Sequence, residues 1–306
     1  YRQLSRQQPN DQSLFLQQLV LENRLGLLSR AELRQRLQRA LQPLPTDPRQ
    51  RQVLAGILVE LDPPEPELLP AYQSLIAAGV NEPFLYFRVA QIALQRNDLV
   101  TARRALENYR ATPAGAQDPQ AALFLLADVE RLSGNLEASA RAYQTIINSP
   151  ISDRNILNAA LRGLLGIRLT QERADDALAV YDRLIALNPQ DPNLELGRAS
   201  LAFQTRRISQ SQAEAILTRW LQQNPTTSPP PEVFSLAGAL PPDPKREALY
   251  NQLLRVDPNN IPVQLRLIQV IAKRNPQEAR ERLSQLIARY PKNISAYFIQ
   301  GQIAQD

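Results

Sequence analysis

The 306-residue sequence predicts an all-α fold made of repeated helix hairpins. Three observations point there. Pro113, Pro150, Pro189, Pro225, Pro258 and Pro291 recur at intervals of 37, 39, 36, 33 and 33 residues. Between them run apolar residues at helical spacing, such as Ala177, Val180, Tyr181, Leu184 and Leu187, then Ala279, Leu283, Leu286 and Ile287. Strand signals are weak: alternating β-branched runs are missing, and Val and Thr are sparse beside Leu, Ala, Gln and Arg.

The elements follow in order. The N-terminal part reads as helix pairs, 11–27 with 29–42 and 48–61 with 66–79. Ser29 followed by Glu32 predicts a capping box. Pro70 falls in a first helical turn, where its missing N–H has no partner to lose. Further on, each period holds two helices and a short polar break: Arg96-Asn97-Asp98, Ser133-Gly134-Asn135 and Glu172-Arg173-Ala174. The recurring Pro then ends the second helix, because it lacks an N–H and disfavours a helical residue before it. Residues 228–231 and 241–244, rich in Pro, bracket a short helix of about nine residues. The count is about eight hairpins plus one unpaired final helix. That helix offers Ile299, Ile303 and Ala304 as an apolar face. A repeat array should end on a polar outer face, so the natural protein is expected to continue, with more repeats. The start at Tyr1 rather than Met fits a processed form, an excised fragment, or part of something longer.

The residues within each period resemble the 34-residue tetratricopeptide repeat. Leu161, Leu164, Ala177, Tyr181 and Pro189 fall on its positions 4, 7, 20, 24 and 32. Leu165 replaces the small residue of position 8, and Gly166 sits one place late. From Pro83, Tyr86, Val89, Ala90, Ala93, Ala102 and Leu106 take positions 4, 7, 8, 11, 20 and 24. From Gln120, Leu123, Leu126, Ala127, Ser139 and Tyr143 take 4, 7, 8, 20 and 24, and near the end Tyr297, Gly301 and Ala304 take 4, 8 and 11. Small residues at positions 8 and 20 let two helices cross closely, and large ones fill the space beside the crossing. The match is good over 83–189, fair over 190–306 and poor over 1–82. It divides the chain into degenerate hairpins at 1–82, the best-matching repeats at 83–225 and further repeats at 226–306. The resemblance implies a right-handed superhelical solenoid, replacing the two domains that length alone would suggest.

Composition removes most catalytic designs. There is no His, Cys or Met, so Ser-His-Asp triads, Cys-His dyads and Cys/His zinc sites are excluded. Lys245, Lys273 and Lys292 are the three lysines, and none follows the Gly pattern of a phosphate loop. Ten Gly against 25 Pro fits helices punctuated by Pro. The net charge of +5 is mild and does not by itself imply nucleic acid. Apolar stretches such as Val53–Val59 are far short of the roughly 20 residues a membrane span needs.

Isolated features read as structural. Asp175 and Asp176 point about 100° apart on a helix and sit where acids favour its dipole. Arg34, Arg36, Arg39, Arg49 and Arg51 are interspersed with acids and read as solvated faces. Trp220 takes a packing position. The resemblance supplies the candidate site: such arrays bind ligands on a concave face lined by first helices at positions 2, 5, 9, 12 and 13. Carried over, this gives Phe84, Phe87, Gln91 and Gln95, then Phe124, Asp128 and Arg131, then Arg162. Aromatics with polar groups and Arg suit an interaction surface. The expected function is a non-enzymatic protein-binding scaffold without cofactor, metal or catalytic residue. Its partner is a protein or peptide segment, or a polysaccharide. The Gln/Arg-rich, Cys-free composition resembles that of bacterial envelope proteins, including periplasmic repeat regions of exopolysaccharide secretion systems, with a cytoplasmic setting as the alternative. RNA binding and a glycan-binding or glycan-acting role are the competing classes. No base-reading residue recurs at one repeat position, as the first would require.

Overall fold

A computed structural model describes residues 12–150, 153–224 and 228–305. It is all-α, and its helices pair as the Pro intervals require. Pro225 lies outside the described residues.

Two compact units divide the chain, 1–160 and 161–306. In the first, α1 (Gln12–Arg24) pairs with α2 (Arg30–Leu41), and α3 (Pro48–Glu60) with α4 (Leu69–Ala77). Then α5 (Phe84–Gln95) pairs with α6 (Leu99–Arg110), and α8 (Gln120–Leu132) with α9 (Leu136–Asn148). Ser29 and Glu32 form the capping box on α2, and Pro70 sits in the first turn of α4. A five-residue helix, α7 (Pro113–Gln117), was not signalled by the sequence. Pro113 therefore starts a helix, whereas α6 stops at Arg110 before reaching it. Gly115 lets α7 fold back onto α6, since a Cβ there would lie 2.1 Å from the Tyr109 carbonyl oxygen.

The second unit continues with α10 (Arg154–Thr170), in which the boundary between the units falls, and α11 (Ala174–Leu187). Next come α12 (Pro192–Gln204) and α13 (Gln210–Gln223), then α14 (Pro231–Ala239), nine residues long, and α15 (Glu247–Val256). Last are α16 (Ile261–Ala272), α17 (Pro276–Arg289) and α18 (Ile294–Gln305). Trp220 is buried and donates from Nε1 to Asn193 Oδ1 at 3.2 Å, tying α13 to the start of α12.

The repeat register accounts for the core. Val89, Ala90, Ala93, Ala102 and Leu106 are buried, as are Leu123, Ala127, Ser139 and Tyr143, and Leu161, Leu164, Leu165 and Ala177. At one crossing the position-20 Ser139 is wholly buried and donates from Oγ to the Ala127 carbonyl at position 8, 2.8 Å away. The shifted Gly166 lies on an exposed face, and nothing stands within 4 Å of where its Cβ would be. The final helix corrects one expectation. Ile299 and Ile303 are each 5% exposed because they turn inward with Ala296, and Phe298, 68% exposed, forms the open apolar face with Ile294 and Tyr297. Residues one position apart lie about 100° apart on a helix, so apolar character alone did not say which stripe the neighbours would cover.

The breaks inside hairpins share one geometry. Asn97, Gly134, Glu172 and Arg206 have φ of 58°, 79°, 56° and 59°. Each is followed by an N–H that reaches back five residues: Asp98 to Ala93, Asn135 to Glu130, Arg173 to Arg168 and Arg207 to Ala202. This closure satisfies carbonyls that the helix end leaves open. Glu and Arg bear a steric cost in this left-handed region that Gly does not. Glu172→Gly and Arg206→Gly should therefore each stabilise the protein, on the order of 1 kcal/mol. Urea unfolding that shows either variant less stable than the parent would refute the reading of these turns.

Candidate functional site

The expected site residues are placed by two helices of the first unit and one of the second. Phe84, Phe87, Gln91 and Gln95 lie along α5 at intervals that share one face. The rings of Phe84 and Phe87 stand 5.5 and 5.6 Å from that of Tyr109 in α6, within their own hairpin. Phe84 keeps 46% of its surface exposed. Phe124 of α8 meets Tyr143 of α9 edge-on at 6.1 Å. Asp128 and Arg131 pair with each other at 3.1 Å, and α8 packs beside α5. Arg162 belongs to the second unit, where it donates to Asp191 Oδ2 at 3.0 Å.

Gln91 is held in a particular orientation. Arg88 donates from Nε and Nη2 to the Val59 carbonyl at 3.0 and 2.7 Å, in the last turn of α3. Its Nη1 donates to Gln91 Oε1 at 2.8 Å and lies 3.3 Å from Asp62. A guanidinium has no acceptor, so the amide oxygen of Gln91 must face it and the NH₂ group turns outward. The last-turn carbonyl also carries the negative end of the helix dipole, which favours the cation.

The same device recurs in the second unit, where the sequence had pointed to no site beyond Arg162. Arg266 of α16 donates to Gly238 O at 2.9 Å and Ala239 O at 3.3 Å, in the last turn of α14. Its Nη1 donates to Gln269 Oε1 at 2.9 Å. Burial pulls the Arg266 guanidinium below its ordinary pKa. Gln269 in turn donates from Nε2 to Gln302 Oε1 of α18 at 3.4 Å. Two cavities open along these first helices, of about 720 and 540 Å³. They meet at Gly238 and Pro262, where a Cβ on Gly238 would lie 2.7 Å from the Pro262 Cβ. The signal was present in the register: Tyr297 at position 4 puts Phe298 at 5 and Gln302 at 9. Those are the positions of Phe87 and Gln91, and of Leu265 and Gln269 one 33-residue period earlier.

The other charged features serve the fold. Asp175 pairs with Arg207 and Asp176 with Arg173, each at 2.6 Å. In the N-terminal basic region Arg36 pairs with the buried Glu22 at 2.5 Å, and Arg34 with Glu65 at 3.4 Å. No helix among the described residues is long and apolar enough to cross a membrane.

Hairpins stacked by their first helices, with small residues at the crossings, define an α-helical repeat protein. Residues 159–226 match the family model of the tetratricopeptide repeat. No curated protein matches it. Solved structures to which it is similar include YrrB, described as a TPR protein with an unusual peptide-binding site. That likeness has 13% identity and a TM-score of 0.42, over 76% of this chain and 99% of that one. Another is the APC/C hetero-tetramer Cut9–Hcn1, at 18% identity and a TM-score of 0.47, over 94% of this chain and 54% of that one. A third is the C-terminal part of a TPR repeat-containing protein from Cytophaga hutchinsonii, at 14% identity and a TM-score of 0.36, over 82% and 98%.

Proposed function

We propose that this chain is a non-catalytic scaffold that holds a protein segment against its first helices. The observation that carries the reading is the pair of joined cavities along α14, α16 and α18, with Phe298 68% exposed beside them. An exposed aromatic next to preformed concave space is the kind of anchor that dominates protein recognition. Concave sites that bind proteins need rigid walls, and packed helices tied by Arg266 provide them. A photo-crosslinking residue at position 298 of the full chain, expressed in its native cell, should capture a discrete protein. The same residue at the exposed position 183 should not. Equal labelling at both positions, or none at 298, would overturn the proposal. The Gln/Arg-rich, Cys-free composition supports a bacterial envelope setting, in an assembly or polysaccharide-secretion complex. Cell fractionation should then recover the protein with the envelope, and recovery in the cytosol would remove that part of the proposal.

A further inference from the structure

Another open groove lies in the first unit, between α1 and α3. It holds about 530 Å³ and is lined by the buried Leu16 and the half-buried Val20. Leu21 and Val53 line it too, and each keeps 42% of its surface exposed. Leu16, Val20 and Arg24 stand four residues apart and so share one face of α1. The guanidiniums of Arg24 and Arg49 border this apolar surface, and both residues are exposed. Arg34 and Arg36 pair with Glu65 and Glu22. Arg24 and Arg49 have no acid partner among the described residues. One acid, Asp47, also lines the groove. Its Oδ1 accepts from Arg49 N at 2.9 Å as the cap of α3, so its charge faces the positive end of that helix. Asp47 keeps that charge, and the lining carries two cations against one anion.

The helix that carries Arg49 does not explain its placement. Cations are disfavoured in a first helical turn, where the dipole is positive, and α2 and α17 carry Glu32 and Glu278 there. The first turn of α3 has no acid and instead holds Arg49 and Arg51. Arg51 donates to the Pro45 carbonyl, whereas the Arg49 side chain reaches solvent. Helix end and guanidinium therefore add to one positive potential beside apolar surface. A carboxylate brought there would meet that potential, and its apolar neighbours would cover Leu21 and Val53. A concave site admits side chains but not a flat bilayer, and no aromatic side chain among the described residues lines it for a base to stack on. The chain's own first ten residues carry Arg2 and Arg6 without an acid, so their charge does not match it. We propose that this groove binds an acidic partner segment, whose apolar side chains enter between α1 and α3 while flanking carboxylates pair with Arg24 and Arg49. The site lies wholly within the first unit and stands whether or not the groove along α14, α16 and α18 holds protein.

A displayed random-peptide library panned on the full chain, then counter-screened on the double variant Arg24→Glu with Arg49→Glu, tests it. Peptides that bind the parent and not the double variant should be rich in Asp and Glu around apolar residues. By fluorescence anisotropy, such a peptide should lose affinity about tenfold between about 50 and 500 mM salt. The double charge reversal should weaken it by about tenfold or more, and a peptide with its acids changed to Lys should regain binding to the double variant. Leu21→Ala should weaken it about fivefold, through lost apolar contact. The three side chains are exposed, and Arg49→Glu puts an acid where a helix start favours one, so folding should hold, which circular dichroism checks. A library in which no binder depends on both arginines, or in which the dependent binders are neutral or basic, would overturn the proposal and leave the groove of the second unit untouched. Arginine-dependent recruitment to vesicles of phosphatidylcholine and phosphatidylserine, with no dependent peptide, would overturn it as well.

Discussion

Arg103→Ala should lower stability by about 2–3 kcal/mol, because it strands a buried carboxylate between two hairpins. Glu130 of α8 is 7% exposed. It accepts from Arg103 Nε and Nη2 of α6 at 2.6 and 3.0 Å, and from Asn135 Nδ2 at 2.8 Å. Loss of one partner of a fully buried pair costs about 3–5 kcal/mol; the smaller figure allows for the Arg103 side chain, which still reaches water. Hydrogen bonds from Arg103 hold the Glu130 carboxyl below its ordinary value, against burial, which pushes it up; Asn135 adds to the lowering. A carboxyl with a depressed folded-state pKa stabilises the fold above its unfolded value and loses that contribution as pH falls through the folded one. The gap between parent and variant in urea unfolding should thus be full at neutral pH and shrink below about pH 4. Adding Glu130→Leu should recover most of the loss, since no unpaired charge then remains. A gap that ignores pH, or a double variant no better than Arg103→Ala, would show that the pair does not join these hairpins.

Ser139→Leu should cost about 3 kcal/mol or more, whereas Ser139→Ala should cost about 1 kcal/mol. Ser139 is wholly buried where α9 crosses α8, and its hydroxyl donates to the Ala127 carbonyl. Removing that hydroxyl loses one neutral hydrogen bond at a crossing that Ala fills elsewhere, as Ala102 does opposite Ala90. A branched side chain instead forces the backbones apart, and a close-packed interior yields little. Thermal unfolding followed by circular dichroism separates the two variants. If the Leu variant melts with the Ala variant, the crossing is not the tight point that the register makes it.

Much of this architecture was legible before any coordinates. Helix pairs at 11–27 with 29–42 and 48–61 with 66–79, the nine-residue helix between two Pro clusters and the Ser29–Glu32 cap all rest on local interactions. Capping, helical period and the missing N–H of Pro act within a few residues, so the sequence expresses them directly. The left-handed turns at Glu172 and Arg206 were less visible, because neither residue favours that conformation and only closure of the hairpin imposes it. Helix α7 was missed because its decisive contact, Gly115 against the Tyr109 carbonyl, is a backbone approach that no periodicity records.

The sequence by itself determined the fold class, the hairpin period and the small-residue crossings, because each follows from interactions between near neighbours repeated along the chain. Only the tertiary structure decided which faces stay open and how their polar groups point. Ile299 and Phe298 are adjacent and both apolar, yet one is 5% and the other 68% exposed. In the sequence Gln91 and Gln269 stand at the same repeat position, which makes Gln91 a candidate site residue but says nothing of how either amide points. Arg88 and Arg266, each anchored on the end of the preceding first helix, hold the amide oxygen of each, and the Gln269 NH₂ in turn donates to Gln302. That orientation depends on a carbonyl about thirty residues away, and such a distance is closed only when one hairpin stacks on the next.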